Sequence, residues 1–158
     1  MFPVSAYVFR SKDAARDAHR QQIRSEAIKA IDRAQGDGKR IDLDMEAQIP
    51  LIATSPIVNR FTVVPGQVRK LSEAEVKVFA GRIERWKGST QAMLMSCLPT
   101  SGAEIVFAKT VRRSVSEPPE KYEYDRLTQM RENLVSILAD IERYVDRALE
   151  SSRAIECF

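Results

Sequence analysis

The C-terminal segment carries the feature that most restricts how this chain can fold. After Pro119 the sequence contains neither glycine nor proline, and apolar residues recur at alternating steps of three and four. This spacing places them along one face of an α-helix. The residues are Leu127, Met130, Leu134, Ile137, Ile141, Tyr144 and Ala148. Leu138 and Val145 widen the stripe beyond the seam of a two-stranded coiled coil, so the helix needs a broad apolar surface to cover it.

The length of this helix leads to a prediction about partners. It begins near Pro118-Pro119, because proline is tolerated in the first turn of a helix. A helix over residues 119–152 would be about 50 Å long, whereas a compact domain of this size is about 40 Å across. The stripe therefore either folds back through a break or meets another chain, and we favour the second. The expected interface consists of Leu127, Met130, Leu134, Ile137, Leu138, Ile141, Tyr144 and Val145.

The first half of the chain carries both helix and strand signals. Residues 6–10 combine aromatic and β-branched side chains, which predicts a short strand. A helix capped by Ser11 should follow and end in the glycines at 36 and 38. Residues 41–49 alternate strictly between apolar and polar, which is typical of a half-buried strand. Residues 57–64 predict another strand, so the two together favour an antiparallel sheet.

A second helix is predicted to begin at the capping box Ser72-Glu73-Ala74-Glu75. It should end near Gly88, with an apolar face formed by Val76, Phe79, Ile83 and Trp86.

Residues 91–111 leave two alternatives open. Either they form a hairpin of two strands joined at residues 99–102, or the second helix continues to Cys97. We favour the hairpin because Gly81 and Gly88 both weaken a long helix.

Together these patterns predict an α+β fold. It would be a single domain with a mostly antiparallel sheet, two helices and the long C-terminal amphipathic helix. Residues 1–115 would form the α+β body, and residues 116–158 the helix that packs or oligomerises. The 158 residues are 44% hydrophobic and 30% charged, which is typical of a globular chain that buries its own core without a metal or disulfide. No run approaches the roughly 18 apolar residues that a membrane span requires.

Arginines provide the main candidate for contact with phosphate groups. Arg16, Arg20 and Arg24 recur every four residues on the first helix, and Arg112 and Arg113 form a second basic cluster. The net charge is only +3, and Asp13 and Asp17 interleave with the first cluster. A solvated helix face is therefore the favoured interpretation, and nucleic acid is a possible but not a favoured partner.

The sequence offers little catalytic chemistry. Cys97 with His19 would be a thiol–imidazole pair, but no third orienting group or nucleophile turn accompanies it. Phosphate-binding loops and the common hydrolase motifs are absent. We therefore predict no catalytic residue and no cofactor.

Two further features of the sequence could bind a ligand. Asp42, Asp44 and Glu46 would share one strand face and could hold Mg²⁺, although the solvent face of an amphipathic strand explains them better. Trp86 lies among basic residues that could stack a base, but its position on an apolar stripe indicates a core residue. No metal site is predicted.

The function predicted from these features is that of a non-enzymatic, self-associating structural or adaptor protein. It would be a subunit of a larger assembly of bacterial or phage type, acting through the C-terminal heptad helix. Its partners would be copies of itself or other protein subunits, with no membrane. The alternative is a nucleic-acid or nucleotide-binding accessory protein that uses the arginine clusters. Two cysteines without a disulfide framework favour a reducing interior, cytoplasmic or within a particle assembled inside the cell.

Overall fold

The described part of the chain consists of helices joined by short non-helical segments. The computed structural model describes residues 4–48, 71–110 and 118–156, with side chains over 12–47, 71–110 and 118–151. Its helices are α1 (Val4–Gln48), α2 (Glu73–Cys97), α3 (Ala103–Ala108), α4 (Pro119–Ala139) and α5 (Ile141–Glu156). These ranges contain no strand. The fold is therefore all-α over the described residues, and the predicted α+β fold with an antiparallel sheet is wrong.

Helix α1 is the axis of the core. It packs against α2, α4 and α5, while α3 packs against α2 and α4. Helix α2 runs antiparallel to α1, because Arg82 pairs with Asp44 and the later residue Trp86 contacts the earlier residue Ala34. The short helix α3 lies between α2 and α4 in the sequence. Asn133 of α4 donates hydrogen bonds to the carbonyl oxygens of Phe107 and of Lys109, the residue after α3, at 3.1 and 2.8 Å.

Helix α1 does not end at the glycines where the sequence predicted a turn. It continues through Gly36 and Gly38 to Gln48. A Cβ atom at position 38 would lie 2.7 Å from Trp86 Cζ2, so glycine is required there for the close approach of the indole ring. Trp86 Nε1 also donates to the carbonyl oxygen of Ala34 at 2.9 Å. The glycine that predicted a helix end therefore serves helix–helix packing.

The alternating segment 41–49 is not a strand over its described residues, which belong to α1. Alternation places apolar residues four apart as well as two apart, and residues four apart share a helix face. Ile41 and Met45 are accordingly buried, whereas Leu43 between them is 51% exposed. The predicted strand at 6–10 is also part of α1, and the predicted strand at 57–64 lies outside the described residues.

Helix α2 begins where the capping box predicted. Ser72 Oγ accepts a hydrogen bond from the Glu75 backbone N–H at 3.2 Å. The helix then passes through Gly81 and Gly88 and ends at Cys97, so the predicted hairpin is wrong and the alternative of a continuing helix is confirmed. Both glycines are tolerated because the apolar face of the helix is buried on either side of them. The buried residues are Phe79, Ile83, Trp86, Thr90 and Leu94.

A tight turn joins α2 to α3 at residues 98–102. Ser101 is buried, its hydroxyl donates to the Leu98 carbonyl oxygen at 2.7 Å, and it accepts from the Ala103 backbone N–H at 3.2 Å. Gly102 adopts a φ of 79°, in the left-handed region that glycine enters without strain. The turn places Phe107 edge-on against the Trp86 ring, with 5.4 Å between the centroids. Both aromatic rings therefore belong to the core, as the apolar stripe predicted for Trp86.

The C-terminal heptad segment forms two helices. Helix α4 begins at Pro119, as predicted, and ends at Ala139. The single non-helical residue Asp140 separates it from α5. The whole predicted stripe is buried on both sides of this interruption. The length argument favoured coverage of the stripe by another chain. Instead the 45-residue helix α1 lies along both α4 and α5 and helps to cover the stripe within the same chain.

Candidate interaction surface

The residues predicted to bind a second chain lie in the core of this one. Leu127, Met130, Leu134, Ile137 and Val145 are 0% exposed, and Ile141 and Tyr144 are 6% and 5% exposed. Leu138 is partly buried against the same cluster. Their apolar surface is covered by other helices of the same chain. A contact between chains through these side chains would therefore require the core to open.

The predicted basic ridge on α1 is only partly free. Arg20 Nη2 lies 2.9 Å from Glu142 Oε2, and Arg20 Nη1 lies 2.6 Å from Asp146 Oδ1. Arg24 Nε lies 2.5 Å from Glu142 Oε1. These hydrogen bonds lower the pKa of Glu142 and raise the pKa of Arg20. The two arginines therefore hold α5 against α1.

The other arginines of the predicted phosphate contact are not brought to this cluster. Arg16 is exposed, one turn before Arg20 on α1. Arg112 and Arg113 lie outside the described residues. The structure therefore does not assemble the predicted five-arginine surface from the residues it describes.

The beginning of α1 extends past the end of α2. Helix α1 has 45 residues and is about 67 Å long, whereas the 25 residues of α2 extend about 37 Å. Helix α2 ends at Cys97, beside Glu26, which contributes to the raised pKa of that thiol. All side chains from residue 12 to residue 19 are exposed, and Ala27 is the first buried residue among the side chains of α1 that the structure describes. We call residues 4–19 the arm.

A second exposed feature lies between α1 and α2. Three arginines, Arg40, Arg82 and Arg85, line an open groove of about 430 Å³ together with Asp37 and Ser89. Its floor contains Ile41 and Trp86, which are both largely buried. We call this feature the arginine groove.

Of the three arginines in the groove, one forms an ion pair with a described residue and two do not. Arg82 Nη2 lies 2.7 Å from Asp44 Oδ2. No ion pair joins Arg40 or Arg85 to any residue that the structure describes, and Asp37 is the groove's own carboxylate. The groove therefore presents an excess of positive charge in which two guanidinium groups are available to a partner.

The residues considered for catalysis are poorly suited to it. His19 is exposed on the arm, and Glu26, the residue near Cys97, lies about 10 Å further along the same helix. Burial raises the pKa of the Cys97 thiol, with a smaller contribution from Glu26. A raised thiol pKa reduces the fraction of reactive thiolate. The geometry therefore does not support the Cys97–His19 pair.

The three carboxylates considered for Mg²⁺ do not share a face. On a helix, residues two apart point about 200° apart, so the row predicted for a strand is dispersed. Asp42 is buried and pairs with Arg131 of α4, whereas Asp44 pairs with Arg82 of α2. Within the described ranges no group of three or more His, Cys, Asp or Glu residues is arranged to hold a metal ion.

Comparisons with known proteins identify no relative. No protein-family model matches the chain, and no curated protein or solved structure matches it either. Among the described helices, none combines the length and apolar character needed to cross a membrane.

Sequence reasoning missed the arm and the arginine groove because it divided α1. The predicted strand at 6–10 separated the beginning of the arm from its helix, and the predicted turn at 36–38 and strand at 41–49 separated Arg40 from it. A signal for the arm was present, because residues 12–19 contain no apolar residue larger than alanine. A helix without an apolar stripe is typical of a segment that does not pack on its own core.

Proposed function

We propose that the protein is a non-enzymatic structural or adaptor subunit that associates with other copies of itself through the arm. The observation that carries this proposal is the uninterrupted exposure of residues 12–19 on a 45-residue helix. The sequence predicted that the heptad segment, which forms α4 and α5, would be the contact between chains. The apolar residues of these helices are buried in the core of the chain, and in this proposal the arm replaces them as the contact between chains.

The energetics of a helix on its own favour a partner for the arm. An isolated helix of about 12–15 residues is marginal in water, and most helical stability in proteins comes from packing an apolar face. The arm has no such packing over its described side chains, and its alanines Ala14, Ala15 and Ala18 permit the close approach of another chain. A partner that covers the arm would supply the contacts that its own body does not.

The setting proposed for this role is a reducing interior, cytoplasmic or within an intracellularly assembled particle. Cys97 is a free thiol, which is consistent with such a compartment but also with others. The nucleic-acid alternative stays a prediction. Its test is binding that weakens steeply with salt. Arg20 and Arg24, which it would use, already pair with Glu142.

The experiment compares the solution masses of wild type and the variant Ala15→Pro over a range of concentrations. Proline in a helix interior removes a backbone hydrogen bond and breaks or kinks the helix. We expect wild type to exceed its monomer mass of 17.9 kDa as concentration rises, and the variant to remain at that mass. The fluorescence of Trp86, the one tryptophan of the chain, should be the same in both because the body is unchanged.

Val135→Ser is the control for this comparison. Val135 is 59% exposed on α4, outside the arm, so its substitution removes exposed apolar surface without touching the proposed contact. It should associate like wild type. A wild-type mass of 17.9 kDa at every concentration would contradict the proposal, as would an unchanged assembly in Ala15→Pro.

A further inference from the structure

We propose that the arginine groove of one chain receives the arm of a second copy, with Asp13 and Asp17 of the arm contacting Arg40 and Arg85 of the groove. This inference rests on the proposed function and names the surface that the arm binds. The contact would join unlike surfaces, so each chain would both offer an arm and accept one.

The two carboxylates of the arm are placed to act together. Asp13 and Asp17 are four residues apart, so they lie on one side of α1 about 6 Å apart along its axis. Both are exposed, and neither has an ion-pair partner among the residues that the structure describes. They form a short acidic edge among the alanine and basic side chains of residues 12–19.

The groove has the complementary charge. Arg40 and Arg85 approach it from different helices and keep their guanidinium groups free of the described carboxylates. A guanidinium group binds a carboxylate through two parallel hydrogen bonds, so it suits an aspartate better than a lysine would. Asp37 in the same groove can meet Lys12 or Arg16 of the arm, and it would repel a continuous polyanion. The mixture of charges therefore favours a protein segment of mixed charge over a nucleic-acid backbone.

The arm cannot reach the groove of its own chain. Asp17 and Asp37 lie on the same continuous helix, twenty residues and about 30 Å apart. Because α1 is unbroken between them, the contact must come from another copy. Contacts between unlike surfaces close into a ring of two or more chains or continue as an open filament, so the mass should rise above that of the monomer as concentration increases.

The size and chemistry of the contact set its strength. The arm is about 24 Å long and about 10 Å wide, so one arm in one groove falls at the small end of protein interfaces. Such a contact is expected to be weak and to require concentrated protein. Because its charged groups are exposed, added salt should weaken it.

The test uses charge reversals of one arm residue and one groove residue. We expect Asp17→Arg and Arg85→Glu each to weaken association by about tenfold or more, because each places like charges together. The double variant carrying both reversals restores opposite charges across the contact, so its association should return towards that of wild type. Lys77→Glu is the matched control: it makes the same reversal on α2 at an exposed residue outside the groove, and it should associate like wild type.

The outcomes separate this inference from the proposed function. If Ala15→Pro abolishes association while Arg85→Glu leaves it unchanged, the arm is the contact but the groove is not its acceptor. If both reversals weaken association and the double variant does not recover, direct pairing of the two positions is refuted. If wild type is monomeric at all concentrations, the inference fails together with the proposed function.

Discussion

Two glycines on α1 should respond in opposite directions to the same substitution. Gly36 and Gly38 are both inside the helix, where alanine is more favourable than glycine by about 0.5–1 kcal/mol. A Cβ atom at Gly36 meets no atom within 4 Å. Gly36→Ala should therefore stabilise the protein by about 0.5–1 kcal/mol.

Gly38→Ala should destabilise it. The added Cβ would lie 2.7 Å from Cζ2 and 3.1 Å from Cε2 of Trp86, and 3.3 Å from Cγ of Arg131. Trp86 cannot move away easily, because its indole N–H is bonded to Ala34 and its ring packs on Phe107. Overpacking of this kind costs about 1–3 kcal/mol, and loss of the indole hydrogen bond adds about 1 kcal/mol. After the gain in helix propensity, we expect a net loss of about 1–3 kcal/mol.

Urea unfolding followed by tryptophan fluorescence measures both changes at the site itself, because Trp86 is the one tryptophan of the chain. Gly36→Ala is the matched control, two residues away on the same helix. If Gly38→Ala were as stable as Gly36→Ala, the indole ring would not lie against α1. If Gly36→Ala were strongly destabilising, residue 36 would be in a left-handed turn, and α1 would end there.

Three further predictions concern α2, the core and the α1–α5 contact. Gly88→Ala should stabilise the protein by about 0.5–1 kcal/mol in urea unfolding, because a Cβ there meets open space; a loss would restore the hairpin interpretation. Arg131→Met should cost about 1–3 kcal/mol in the same assay, because Asp42, whose side chain is 12% exposed, loses its hydrogen-bonded cation; an unchanged midpoint would show that the pair does not form. The lowered pKa of Glu142 means that its contribution is present at neutral pH and is lost as pH falls through that pKa. The difference in Tm between wild type and Glu142→Gln should therefore vanish in strong acid, and a difference independent of pH would contradict the pairing with Arg20.

The sequence predicted those elements whose signals are local. The capping box fixed the start of α2 at Ser72, and the paired prolines fixed the start of α4 at Pro119. The stripe from Leu127 to Ala148 was correctly predicted to be a buried helical face, because its spacing fits no other structure.

The remaining elements depended on contacts that no local pattern contains. The alternation over 41–49 satisfies a strand and also a helix that buries Ile41 and Met45, so the neighbouring helix decides between them. Gly38 resembled a helix end because the indole ring that requires it is 48 residues away in the sequence. The heptad stripe specified that apolar surface must be covered, but its spacing does not reveal that α1 is long enough to pack against both α4 and α5 within the same chain. The arginine groove arises only once α1 continues past residue 38.

Hydrogen exchange at low and high protein concentration tests the self-association of this chain most directly. The backbone amides of residues 12–19 have no packing to protect them in a single chain, so they should exchange rapidly in dilute solution. Concentrated protein should protect these amides and also those around Arg40 and Arg85, while the core of α4 stays equally protected throughout. Exchange of the arm that is equally rapid at every concentration would show that no second copy covers it, and the account of the arm as the contact between chains would be wrong.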